Sequence, residues 1–231
     1  MPMNELKAWD VYARHLMTIG RGYPLWNPQP NKRCNSDRFD PPVQIGDVGY
    51  ITSGTFIRLF NATEDAHAEI KQAHGVPSNR YVKFEVGERG LENEVPNILT
   101  PGALLYSQTI RNVGEEITGQ ILNTELTATF ECTSEQGALL CLKDAAHQQQ
   151  LQSGRRLKQY IKDNINDWYA FATSDEVDAP VRRLEDILFV YGCMRTTRWA
   201  VASFIEGGVS AKFSLNGGYG SANAGIAAFA K

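Results

Sequence analysis

The chain has 231 residues, of which 42% are hydrophobic and 21% charged, a balance that supports one large folded core or two small ones. Its net charge of −3 argues against a general nucleic-acid binder. The first residues, MPMNELKAWD, lack the basic and apolar regions of a signal peptide, and no run approaches the ~18 apolar residues of a membrane-spanning helix. The default expectation is a cytosolic protein with reduced thiols.

Residues 4–19 are predicted to be helical, with Asn4 as N-cap, Gly20 as terminator and an apolar stripe of Leu6, Trp9, Ala13, Leu16 and Met17. Lys7, Arg14 and Arg21 recur every seven residues, which places Lys7 and Arg14 on one face, two turns apart. Residues 22–42 are a proline-rich coil. The segments 43–51 and 55–60 flank Thr52-Ser53-Gly54 and predict a β-hairpin. A short helix is expected over 64–74, then strands at 81–86, 103–111, 118–131 and 138–143. Within the third of these, Leu126, Ala128 and Phe130 oppose Glu125, Thr127, Thr129 and Glu131, the alternation of a half-buried strand.

A second helix is predicted over 155–172, its stripe formed by Leu157, Ile161, Ile165, Trp168 and Phe171. Arg155, Arg156, Lys158 and Lys162 crowd its first turns, where cations oppose the helix dipole. Strands resume at 185–193, whose apolar run 187–191 predicts a central buried strand, and at 197–205. The last 25 residues, rich in Gly, Ala and Ser, read as one weak strand and a tail. These elements imply an α+β fold.

Charge is unevenly spread. Residues 1–33 carry five basic and two acidic side chains, residues 34–150 eight and sixteen, and residues 151–171 four and two. An anionic partner for the basic segments is one reading, and ordinary solvated faces are the other.

Catalytic signatures are missing. There is no GxxxxGK[ST] loop and no GxSxG elbow, and Gly217, Gly218, Gly220 and Gly225 lack dinucleotide-binding spacing. His67-Ala-Glu69 opens a zinc-deaminase pattern but no PCxxC follows. His67 and His74 read as a surface pair, and Cys132 and Cys141 as buried core residues; neither Cys34 nor Cys193 forms a CxxC pair. The adjacent acids Glu64-Asp65, Glu115-Glu116 and Asp175-Glu176 do not suggest a converging dyad. The expectation is a protein that is not an enzyme, with no cofactor and no metal.

Three phrases, Gly-Tyr-Pro-Leu-Trp at 22–26, Ile-Gly-Asp-Val-Gly-Tyr-Ile at 45–51 and Phe-Ile-Arg-Leu-Phe-Asn at 56–61, resemble a class of fungal intracellular proteins. The order of elements, and the passage from Arg183-Leu-Glu-Asp-Ile-Leu-Phe-Val into Thr196-Thr-Arg-Trp-Ala-Val-Ala-Ser, is similar to the pore-forming domain of gasdermins. The chain most resembles the fungal gasdermin-like regulator-of-cell-death (heterokaryon incompatibility) group. The resemblance implies a twisted antiparallel sheet with flanking helices, a single domain over 1–231, and no separate C-terminal inhibitory domain. It also implies a cytoplasmic protein that relocates to the plasma membrane, binds acidic phospholipid and oligomerises with itself or a variant partner into a β-barrel pore. Lys7, Arg14, Arg21, Arg155, Arg156, Lys158 and Lys162 would then be the lipid-binding set. Two alternatives compete with it: a non-enzymatic protein- or ligand-recognition module, and an enzyme with an unfamiliar site holding His15, His67 or His147 beside a carboxylate or cysteine.

Overall fold

A computed structural model describes residues 6–30, 39–68, 72, 74–77, 81–86, 92–112, 126–152, 154–205, 210–215 and 227–228. These form an α+β fold with two α-helices and mostly antiparallel sheets. The helices are α1 (Ala8–Met17) and α2 (Arg155–Ala172). The strands are β1 (Asp47–Thr52), β2 (Thr55–Asn61), β3 (Glu92–Leu99), β4 (Leu104–Tyr106), β5 (Ile110–Asn112), β6 (Leu126–Cys132) and β7 (Gly137–Leu142). They continue with β8 (Ala146–Leu151), β9 (Leu188–Phe189), β10 (Gly192–Arg195), β11 (Trp199–Phe204), β12 (Ser210–Leu215) and β13 (Ala227–Ala228). Among the described residues the strands fall into four sheets, ordered β2-β1-β9, β10-β8-β3, β13-β11-β7-β4 and β12-β6-β5. The chain divides into two compact units, one of residues 1–26, 96–147 and 194–231, the other of residues 27–95 and 148–193.

In the first unit, β7 and β11 pair antiparallel from Trp199↔Leu142 to Phe204↔Gly137. Both are almost continuously apolar because this sheet is covered on both faces. Ala138 and Val201 pack against Tyr12 and Leu16 of α1, with Trp26 edge-on to Tyr12 at 5.2 Å. Leu139, Ala202 and Phe204 point the other way, against Ile110 of β5 and Phe130 and Cys132 of β6. Cys132 and Cys141 are buried, as their place in strands predicts. At one end of the sheet the Asp144 carboxylate accepts hydrogen bonds from Thr197 Oγ1 and from Nε and Nη2 of Arg198, which holds its pKa below the usual carboxylate value.

α1 differs from its predicted form. It begins at Ala8 with Lys7 at the N-cap, and Asn4 lies outside the described residues. Its buried face is Ala8, Val11, Tyr12, Ala13 and Leu16, whereas Leu6 and Met17 are 41% and 50% exposed. The apolar stripe was displaced by about one residue because Tyr12 counts as apolar on a helix that packs on a sheet. Gly20, at φ 75°, follows the helix end as expected.

In the second unit, β1 and β2 form a hairpin closed by Ser53 (φ 48°) and Gly54 (φ 76°), with Thr52 opposite Thr55. Two positive φ values in a two-residue loop match the twist of the flanking strands. A bulge shifts the register between Val48 and Gly49, so that the successive residues Leu59 and Phe60 are both buried. Phe60 meets Trp168 and Phe171 of α2 edge-on, each at 5.9 Å. Val48, Ala62, Ala172 and Ile187 complete this core.

The remaining differences concern strand limits. Residues 64–68 form turns, with 69–71 and 73 outside the described set. Residues 81–86 join no sheet. The predicted strand 103–111 is divided into β4 and β5, and residues 118–125 of the next lie outside the described set. The apolar run 187–191 gives only β9, which pairs two residues with β1 at the sheet edge; Leu188, Phe189 and Val190 are half-buried. Ile187 and Phe189 of this run pack against α2 and the aromatic core, not within a central strand. β3 and β8 carry too little periodic apolar pattern to be read from sequence, Ala146–Leu151 being AHQQQL.

Candidate membrane-binding surfaces

α2 is placed by its apolar face. Leu157 and Trp168 are buried and Tyr160, Ile161 and Ile165 half-buried, which turns the opposite side of the helix outward. Arg155, Arg156, Lys158 and Lys162 are all exposed. At 100° per residue, Arg155, Lys158 and Lys162 (i, i+3, i+7) fall on one outward stripe, while Arg156 lies about 100° round the helix from Arg155, on the other flank of the apolar face. Arg156 is engaged there, its Cζ 5.6 Å from the centroid of the Phe84 ring. Among the described residues, Arg155, Lys158 and Lys162 form no ion pair. The helix start has no acidic residue in its first turn, and its N-cap, Gly154, has no side chain to accept from the first amides. Positive side chains and the positive end of the helix dipole therefore add in one place, which favours an anion.

The basic residues of the first unit are arranged differently. Lys7 and Arg14 line one shallow open groove with Leu6, Asp10, Ala13, Met17 and Tyr23. Asp10 offsets part of their charge, and Arg21 is exposed beyond the helix end and is not part of the lining. The groove combines cations with three exposed apolar side chains, Leu6, Met17 and Tyr23. Burial and the nearby Asp10 raise the Tyr23 pKa, so its hydroxyl stays protonated at neutral pH.

The residues of the alternative catalytic reading are dispersed. His67, His74 and His147 are exposed, and His15 is half-buried on α1. Among the described residues, no three His, Cys, Asp or Glu side chains are grouped to hold a metal. Burial pushes the Cys141 thiol up to about 12, away from thiolate chemistry.

The residues that carried the sequence resemblance form a buried polar network. Asp47 and Asn61 are fully buried. Asp47 accepts from Arg58 Nε and Nη2, from the Gln44 amide and from Asn61 Nδ2, all at 2.7–2.8 Å. Gln72 satisfies both the amide and the carbonyl of Asn61, each at 2.9 Å. A Cβ on Gly49 would lie 2.1 Å from the Ile57 carbonyl oxygen. The phrases 45–51 and 56–61 thus specify one locked hairpin. The sequence predicts this hairpin but not its network, because the partners Asp47, Arg58, Asn61 and Gln72 meet through pairing and not through spacing.

No protein-family model, curated protein or solved structure matches the chain. Among the described residues, no helix is long and apolar enough to cross a membrane.

Proposed function

We propose that this protein permeabilises membranes: it binds acidic phospholipid through its basic helix faces, oligomerises with itself or a variant partner, and forms a β-barrel pore in the manner of gasdermin pore-forming domains. The observation that supports this reading is the stripe Arg155, Lys158 and Lys162, exposed and without ion-pair partners at an uncapped helix start. Cations held there against the helix dipole cost stability, and a phosphate-bearing surface turns that cost into affinity. Lys7, Arg14 and Arg21 add a second basic element, and Arg156 a flanking one. The antiparallel β6–β12 pair, in register from Ser210↔Glu131 to Leu215↔Leu126, and β7–β11 are the strand pairs from which longer membrane strands would be drawn. In this reading the protein rests in the cytoplasm, moves to the plasma membrane on activation and executes regulated cell death, with no catalytic step and no cofactor.

The test is dye release from vesicles of phosphatidylcholine with and without phosphatidylserine. Release confined to the anionic vesicles, and lost on reversing Arg155, Lys158 and Lys162, supports the reading. Neither binding nor release, with a variant partner also present, favours the second reading, a non-enzymatic recognition module. That reading draws on the α1 groove, where exposed Leu6, Met17 and Tyr23 surround the two cations.

A further inference from the structure

Residues 81–86 cross the second unit without joining a sheet. The segment buries one large side chain deeply, Phe84, which is 3% exposed and packs on Leu151 and Leu157, with Ile45, Tyr160 and Phe189 around it. Val82, two residues earlier, is 57% exposed. Ring packing and polar contacts hold the segment: Phe84 meets the rings of Tyr160 and Phe189 at 4.9 and 6.1 Å, and Tyr81 meets Phe60 at 6.0 Å. The Phe84 amide donates to the Ala62 carbonyl at 2.7 Å, and the Tyr160 hydroxyl to the Val82 carbonyl at 2.6 Å. The Tyr81 hydroxyl faces the carbonyls of Glu64 at 2.5 Å and Asn61 at 3.0 Å and accepts from Gln72 Nε2 at 3.4 Å, and Lys83 pairs with an exposed Asp65 at 3.1 Å. The last clamp is Arg156, stacked over the Phe84 ring.

Two of these clamps, Arg156 and Tyr160, lie in the first turns of α2, at the same uncapped, cationic end of the helix as Arg155 and Lys158. We propose that residues 81–86 are a releasable strap over the apolar flank of α2, and that an anionic phosphate group taking Arg156 off the Phe84 ring loosens it. A charge-assisted bond to phosphate is stronger than a cation–π contact at an exposed site, so the exchange takes Arg156 off the ring and removes one of the holds on the segment. Release would bare Leu151, Leu157 and Tyr160 beside Arg156 at the cationic start of α2, joining an apolar surface to a cationic one only after the anion has bound. Such a surface suits a membrane interface. The phosphate-triggered step rests on the lipid-binding reading above, whereas the strap itself does not.

The experiment is hydrogen exchange of the full chain, read at the Phe84 amide against the paired amides of β1 and β2. Without lipid, Tyr160→Phe and Arg156→Gln are expected to exchange the Phe84 amide several-fold faster than the unaltered protein, with the hairpin amides unchanged, and to bind more anilinonaphthalene sulfonate. An equal rate in all three proteins, or acceleration only together with the hairpin amides, overturns the strap. Phosphatidylserine-containing vesicles are expected to speed the same amide in the unaltered protein, and phosphatidylcholine vesicles are not. Bound anionic vesicles that leave the amide protected overturn the triggered release. Absence of vesicle binding in co-sedimentation sinks the lipid reading itself, and with it the trigger, while the variants without lipid still decide the strap.

Discussion

Arg58 grips Asp47 through two nitrogens, Nε on Oδ1 and Nη2 on Oδ2, each at 2.7 Å. The aspartate side chain is fully buried and the arginine 10% exposed. The guanidinium also donates to the carbonyls of Pro41 and Pro42, so one ion pair ties the hairpin to the proline-rich coil before it.

Removing one partner leaves the other charge buried and unmatched. Asp47→Asn is expected to lower stability by about 3–5 kcal/mol, the usual consequence of breaking a buried pair. Urea denaturation followed by far-ultraviolet circular dichroism measures it. A loss under about 1 kcal/mol would show that the pair is reached by water.

Gly49 faces the Ile57 carbonyl of the neighbouring strand so closely that a methyl group has no room. The atom in the way belongs to the backbone and cannot rotate aside. Gly49→Ala is expected to cost more than the roughly 1–3 kcal/mol of ordinary core overpacking. Gly154→Ala, where a Cβ meets nothing within 4 Å, is the matched control and is expected to fold like the unaltered chain.

Neutralising Arg155, Lys158 and Lys162 to Gln is expected to weaken binding to phosphatidylserine vesicles by about 3 kcal/mol, near 1 kcal/mol per cation, or on the order of a hundredfold. Co-sedimentation against salt concentration checks both the size and its electrostatic origin. Thermal stability should not fall, since cations at a helix start oppose its dipole. Unchanged vesicle affinity in the triple variant would remove the stripe from the lipid-binding set.

His15 sits half-buried on α1, hydrogen-bonded to Gln136 and next to Arg14. Burial is the main cause that lowers its pKa from the ordinary 6.5, with the Arg14 charge acting the same way and the Gln136 bond opposing both. The fold therefore favours the neutral ring. Its contribution to stability is complete above 6.5 and is lost as pH falls from there through the lower folded value. Thermal melts at pH 7.5 and 5.5 are expected to differ more for the unaltered protein than for His15→Gln. An equal difference in both proteins would assign the acid sensitivity to other groups.

Local pattern alone was enough for the elements that satisfy themselves. The α2 limits, 155 to 172, follow from a 3.6-residue apolar period, and the β1–β2 turn from Ser53-Gly54, because backbone torsion and helix burial depend on residues a few positions apart. The uneven charge and the exposed basic residues on α2 were likewise legible. Tertiary pairing decided what lies at long range: that Asp47, Arg58, Asn61 and Gln72 converge, that 187–191 ends at a sheet edge, and that weakly patterned AHQQQL forms a strand. It also separated Arg156, drawn onto the Phe84 ring from 72 positions away, from its neighbours Arg155, Lys158 and Lys162, which face outward. Four cations within eight residues meet different surroundings because the helix turns 100° per residue, and only the packing around the helix determines what each of them meets.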